Sequence, residues 1–411
     1  MKQGLVNDED MISRLPEELI LHILSFLPTQ GAVATSALAK QWRSRWKMVP
    51  VLDFDYESDC QSGDETFPEM VCRVLLSHEA PVLERLRVRV LFEECGATAI
   101  GTWVGIAYAR HVRELYLDVS SAKESYFKFP RSLYKCETLE TLKLRNRVLV
   151  HVPCASAACL KSLRNLHLSY VDYEDEASSL GNLLAGCPKL ENLEVSRRYS
   201  RDVETLIAVP SLQRLRIDDL NHWHGLGGGY NATELVEAKI SHVSNIVNDN
   251  IVGSLTSAKR LCLNLSLEKI TFPMSSIFYQ LVYLELGLAS AGWRNLLVLM
   301  LDRSPKLQVL KLNGRWRYDR IDDLDEEEWS QPKNVAECLL FSLETFVWKC
   351  RRERLEEGKE VAEYILRNAC RLKRATVSIQ GLNSEERLDL LEEMECVVRA
   401  STSSCQLLLL D

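Results

Sequence analysis

Leu163-Arg164-Asn165-Leu166-His167-Leu168 and Leu190-Glu191-Asn192-Leu193-Glu194-Val195 are two copies of one pattern, L-x-x-L-x-L, and the recurrence of that pattern decides the fold. Upstream stand Leu83-Leu86-Val88, Val112-Leu115-Leu117 and Leu139-Leu142-Leu144. Downstream stand Leu212-Leu215-Ile217, Leu235-Ala238-Ile240, Ala258-Leu261-Leu263, Leu281-Leu284-Leu286, Leu307-Leu310-Leu312, Leu343-Phe346-Trp348 and Leu372-Ala375-Val377. Their first positions follow one another at 22 to 29 residues, with one longer step of 36. A fixed period of this size means stacked units, each burying its neighbour's apolar face, rather than one compact core.

The pattern and its period are those of leucine-rich repeats. Each copy predicts a short strand whose alternate side chains point inward as an apolar ladder and outward to solvent. Between strands the period changes: Leu180 to Gly186 and Leu296 to Arg303 read as helices. Leu184, Leu301 and Leu366 each precede the first strand leucine of their repeat by six residues. That fixed offset predicts an α/β solenoid, a curved parallel sheet with convex helices. Its outward residues are the candidate readers of a ligand: Arg85, Arg87 and Arg89, then Tyr116, then Lys143 and Arg145, then Arg214 and Arg216. Arginine forks bind carboxylate and phosphate bidentately, so an acidic or phosphorylated ligand is the matching chemistry. Glu114 and Asp118 lie on the strand between and compete for the same cations.

Composition narrows the alternatives. The 411 residues carry 50 basic and 58 acidic side chains, a net charge of −8, which gives no general attraction to nucleic acid or anionic membrane. Residues 1–10 lack the basic flank and apolar run of a secretory signal, and no stretch reaches membrane-spanning length, so a cytoplasmic or nuclear location is expected. The thirteen cysteines are scattered, with no Cys-x-x-Cys pair, and read as small apolar residues. His222 and His224 lack cysteines nearby, so no metal is expected. Asn231-Ala-Thr233 and Asn264-Leu-Ser266 match the glycosylation acceptor by chance. No nucleophile elbow, phosphate loop or His-Glu-x-x-His is present, and Gly227-Gly228-Gly229 lacks the following Lys-Ser and the strand-to-helix context. Neither an enzyme nor a cofactor is expected.

The first fifty residues differ from the repeats. Pro16 suits the first position of a helix, Glu17 and Glu18 follow where the helix dipole favours acids, and Pro28 is expected to stop it. Leu19, Ile20, Leu21, Ile23, Leu24, Phe26 and Leu27 are apolar almost all round, more than one buried face absorbs, which implies a second partner. Leu15-Pro16-Glu17-Glu18-Leu19 through Phe26-Leu27-Pro28, with Val33, Leu38, Lys40, Trp42 and Trp46, resembles an F-box. The resemblance implies binding of the Skp adaptor, and through it a cullin and a RING protein, with Leu15, Pro16, Leu19, Ile23, Leu24, Leu27 and Trp42 carrying the contact. Trp46, beside the strand-like Val51 to Asp55, fits a cap on the repeats equally well.

Beyond the acidic run 322–328, the segments Asn334 to Leu339, Leu343 to Lys349, Glu360 to Leu366 and Ser403 to Leu408 resemble the FBD domain, with Ala336 and Cys350 departing from its usual proline and glycine. The whole is similar to the plant F-box/FBD/leucine-rich-repeat family: an all-α F-box over 1–50, a solenoid over 51–330, and FBD-like repeats and cap over 331–411. That resemblance implies the substrate-recognition subunit of a cullin–RING ubiquitin ligase, holding an unknown protein target. The other reading is a scaffold without ligase activity that binds a phosphorylated or acidic ligand.

Overall fold

A computed structural model describes residues 15–38, 40–59, 65–123, 125–175, 178–197, 209–219, 234–244, 255–266, 276–288, 292–314, 329–401 and 403–410. The loop 221–230, Asn231 and the acidic run 322–328 lie outside the described residues. Asn264 is buried. The chain forms two compact units, 1–175 and 176–411.

The first unit begins with α1 (Glu17–Leu24) and α2 (Thr29–Ala34), followed by 3-10 turns at Thr35–Ala37, Lys40–Trp42 and Arg45–Met48. The prolines act one step away from their expected places. Pro16 is the N-cap of α1, and the helix ends before Pro28, at Ser25, whose hydroxyl donates to the His22 carbonyl at 2.6 Å. Pro28 instead caps α2. A proline has no N–H to offer and a preset φ, which suits the entrance of a helix better than its exit.

Five parallel strands follow: β1 (Val51–Asp55), β2 (Arg85–Leu91), β3 (Glu114–Ser120), β5 (Thr141–Asn146) and β7 (Asn165–Ser169), paired in that order. Leu86, Leu115, Leu142 and Leu166 occupy one register row, and Val88, Leu117, Leu144 and Leu168 another. All eight are buried, so the ladder read from the pattern is the core. Helices Phe67–Ser77 and Phe92–Ala109 pack between the early strands. The first opens on a capping box, Thr66 with Glu69, because a Thr-x-x-Glu spacing satisfies two orphan backbone donors. After β3 the α-helices give way to 3-10 turns and a second small sheet of β4 (Phe127–Lys128), β6 (Val148–Val150) and β8 (Asp172–Tyr173). Asn146 and Tyr170 stand at positive φ, 62° and 59°, at the bends leading from β5 into β6 and from β7 into β8.

One histidine ties the F-box to the repeats. His78 follows the helix Phe67–Ser77 and is buried. Its Nε2 lies 2.7 Å from the Val49 carbonyl, and Arg110 Nη1 lies 2.6 Å from its Nδ1. Guanidinium only donates, so Nδ1 accepts and Nε2–H donates. Burial, first of all, depresses the basicity of His78, and the Arg110 charge adds to this. The ring is a neutral bridge between the end of the F-box core and the first long repeat helix.

Among its described residues the second unit holds nine parallel strands: β9 (Asn192–Arg197), β10 (Arg214–Asp219), β11 (Glu237–Ser244), β12 (Arg260–Ser266), β13 (Tyr283–Gly287), β14 (Val309–Asn313), β15 (Thr345–Arg351), β16 (Arg374–Gln380) and β17 (Gln406–Leu410). Each pairs with the next. The helix expected at Leu180 to Gly186 is Ser179–Ala185, and that at Leu296 to Arg303 starts earlier, at Trp293. Leu184, Leu301 and Leu366 are buried on their helices. Helices Leu355–Asn368 and Ser384–Ala400 flank β16, the latter capped by Asn383 and Glu386.

Candidate binding surfaces

Helix α1 is apolar on two sides, and the sides go to different places. Ile20 and Leu24 are buried against Trp42 and Val49, with Leu21 and Val51 packed around them. Leu19 and Ile23, four apart on the other side, stay exposed, as do Leu15 just before the helix and Phe26, Leu27 and Leu38 after it. Phe26 is 74% exposed and Leu38 72%. Covering their remaining apolar surface contributes about 25 cal/mol per Å², so the six side chains together offer a partner a substantial gain.

Of the seven residues named for the adaptor, Leu15, Pro16, Leu19, Ile23 and Leu27 are therefore at the surface. Leu24 and Trp42 are not: they face the chain's own core, 1% and 6% exposed, and hold the outer side in place from beneath. The periodicity of α1 could not divide these roles, because both sides are apolar. Phe26 and Leu38, quoted in the F-box resemblance but not among the seven, are exposed as well. Trp46 is buried. The α2 residue Thr29 is buried too, its hydroxyl accepting from the Asp53 N–H at 2.7 Å and pinning the F-box to β1.

On the solvent face of β2, β3 and β5 the charges alternate strand by strand. Arg85 Nε lies 2.5 Å from Glu114 Oε2, Arg89 Nη2 2.7 Å from Asp55 Oδ2, Arg87 Nη1 3.7 Å from Asp53 Oδ2, and Arg145 Nε 3.8 Å from Asp118 Oδ2. Arg87 also rests over the Tyr116 ring, 4.9 Å from its centroid, while the Tyr116 hydroxyl donates to Asp118 at 3.2 Å. Partial burial raises the Asp53 carboxyl above its usual range, and the charges of Arg87 and Arg89 pull the other way. Among the described residues Lys143 forms no ion pair; its register neighbours are Tyr116 and His167. The arginines thus come together as expected, but each of the four stands within ion-pair distance of a carboxylate, so their charge is largely matched within the face. Asp53 and Asp55 are the partners sequence reasoning missed, since β1 precedes the first copy of the repeat pattern.

Arg214 and Arg216 lie in the second unit. Arg214 Nη1 donates to Asn192 Oδ1 at 2.9 Å, and Arg216 Nε lies 3.5 Å from Glu194 Oε1. A third cluster was not combined from sequence. Arg260 and Lys311 reach over the ring of Tyr283 from the strands on either side, 4.0 and 5.1 Å from its centroid. The Tyr283 hydroxyl donates to Glu285 Oε2 at 2.9 Å, and Asn313 Nδ2 donates to Oε1 at 3.0 Å. On β12 beside Arg260, and in register with Glu285, lies Cys262, whose thiol burial pushes up to about 12, so it stays protonated. The signal available in sequence was their register: Arg260 and Tyr283 are direct neighbours, and Glu285 faces Lys311.

The F-box domain profile matches residues 12–54 and the FBD profile residues 331–377. The profile "FBD-associated F-box protein At5g56370, LRR repeats" matches residues 100–226. F-box/FBD/LRR-repeat protein At3g52680 of Arabidopsis thaliana is 49% identical over 99% of this chain and 96% of its own length. The chain belongs to the F-box/FBD/LRR-repeat family. F-box/FBD/LRR-repeat protein At4g00160 is 48% identical over 99% of the chain and 97% of its own, and FBD-associated F-box protein At3g52670 is 45% identical over 97% of each. Among solved structures, a chain of the crystal structure of a TLR13–ssRNA13 complex aligns with TM-score 0.47 at 15% identity, over 87% of this chain and 54% of that one. A match that loose bears on neither fold nor ligand. As a family member, this chain combines an F-box, leucine-rich repeats and an FBD segment, and among its described residues no helix is long and apolar enough to cross a membrane.

Proposed function

We propose that this F-box/FBD/LRR-repeat protein is a non-catalytic specificity subunit of a cullin–RING ubiquitin ligase, acting in the cytoplasm or nucleus. The observation that carries the reading is the apolar surface on and beside α1. Leu15, Leu19, Ile23, Phe26, Leu27 and Leu38 stay exposed although the F-box already has a filled core of its own. An apolar surface left over after folding is a docking surface, and the adaptor of the Skp type is the partner that the F-box domain implies. The adaptor would bring the cullin and RING protein. The repeats would hold the target, and catalysis would be a matter of placing its lysines near a ubiquitin carrier supplied by the complex.

The test is a pull-down with a purified Skp-type adaptor. Leu19→Asp with Ile23→Asp alters only exposed positions, so the protein is expected to melt as the parent does and to lose the adaptor. Adaptor captured at parental strength by this folded variant overturns the proposal.

A further inference from the structure

We propose that Arg260, Tyr283 and Lys311 form an anion-binding platform on the second unit, and that it receives an acidic or phosphorylated side chain of a peptide segment. The inference rests on the reading of the repeats as the target-binding part, and it names where and by what chemistry the target is held.

The argument turns on what neutralises each cation. Of the named cations of the first unit, four arginines lie within ion-pair distance of a carboxylate on a neighbouring strand. Arg260 and Lys311 form no ion pair among the described residues. Glu237, the register neighbour of Arg260 on β11, is exposed and forms none with it. Glu285, the register neighbour of Lys311, is turned to the Tyr283 hydroxyl and the Asn313 amide. What holds the two cations is the ring itself. A cation over a ring face is attracted by the quadrupole, but its charge is not cancelled and its N–H donors remain available at the ring's edge. The contact also restrains two long, rotamer-rich side chains before any ligand arrives, which lowers the entropy lost on binding. Guanidinium and ammonium, both resting on one ring, each keep donors for an anionic group, and such charge-assisted bonds are the strong kind. Tyr283 is itself fixed by its bond to Glu285, so the platform is preorganised by described residues alone.

The experiment uses the full chain and two fluorescein-labelled probes of equal length, one bearing six glutamates in a Gly/Ser background and one bearing phosphoserines in their place. Anisotropy titrations at 50 and 300 mM salt compare the parent, Arg260→Gln with Lys311→Gln, and Arg85→Gln with Arg87→Gln. The expected result is a loss of about tenfold or more for the Arg260/Lys311 variant and less than about twofold for the Arg85/Arg87 variant. Tyr283→Leu is expected to weaken binding with both cations still present, because their restraint is gone. Preference for either probe supports the platform and tells a phosphorylated from an acidic segment. Equal losses in the two double variants reduce the effect to general charge and overturn the proposal, as does absence of binding to both probes at low salt. Adaptor pull-down with the same variants separates the two readings. If the parent binds the adaptor and neither probe, this platform alone falls; if it binds a probe as expected and no adaptor, the platform stands and the ligase reading falls.

Discussion

The solvent faces of the two units are built from the same residue types on the same kind of parallel strand, yet they use their cations differently. In the first unit, Arg85, Arg87, Arg89 and Arg145 find carboxylates one strand away, so the charges of that face are matched in pairs. In the second, Arg260 and Lys311 rest on an aromatic ring, and the nearby Glu285 is engaged elsewhere. An arginine-rich strand is therefore a poor guide to an anion site. The guide is the residue in register on each side, because strands in a sheet stand only about 4.8 Å apart and decide whether a guanidinium is already occupied.

What both faces share is the ladder beneath, and breaking it tests whether the units stand separately. Leu284→Arg puts a charge where the parent side chain is fully buried, and the cost is expected to exceed about 3 kcal/mol, the lost burial plus the desolvation of the cation. Limited proteolysis is expected to open the second unit while 15–175 stays protected; Leu115→Arg is expected to do the reverse. Cleavage throughout the chain in both variants would show a single cooperative unit. The neighbouring Glu285→Ala, on the solvent face, is expected to leave the second unit resistant to protease.

A smaller effect probes close packing beside the platform. An added Cβ at Gly287 would collide with the Asn264 side chain, so Gly287→Ala must displace a buried amide, at about 1 to 3 kcal/mol. A lowered melting temperature is expected, restored in part when Asn264→Ala makes room. Next in size is the pH response of the first unit. The neutral form of His78 is favoured in the folded chain, so the unfolded chain binds the proton more readily. Stability from this group is fully present above the ordinary imidazole value near 6.5 and declines as pH falls below it. The melting temperature of the parent is expected to fall more steeply than that of His78→Gln between pH 6.5 and 5, and parallel curves would remove His78 from the account. Least of all, Arg85→Ala is expected to cost under about 1 kcal/mol, because its pair with Glu114 is half exposed.

How much of this was legible depends on which neighbour supplies the constraint. Leu193, Leu284 and Leu310 could be placed inward because period 2 and the repeat register agree, and both are properties of nearby residues. All twelve pattern copies became strands for the same reason. Leu24 and Leu19 could not be sorted, since α1 is apolar around its circumference and only tertiary packing on Trp42 and Val49 chooses an inner side. Arg87 and Arg89 were recognised as neighbours of one another, while their partners Asp53 and Asp55 lay on a strand outside the recurring pattern. The three-stranded sheet of β4, β6 and β8 escaped notice because strands of two or three residues carry no periodicity to read.

His78 has a further consequence, for movement within the first unit. Joined to the Val49 carbonyl on one side and to Arg110 on the other, a single neutral ring passes any shift of the F-box core directly to the end of the helix Phe92–Ala109. His78→Leu removes both polar contacts, so the F-box core would turn against the first repeats as on a hinge instead of moving with them.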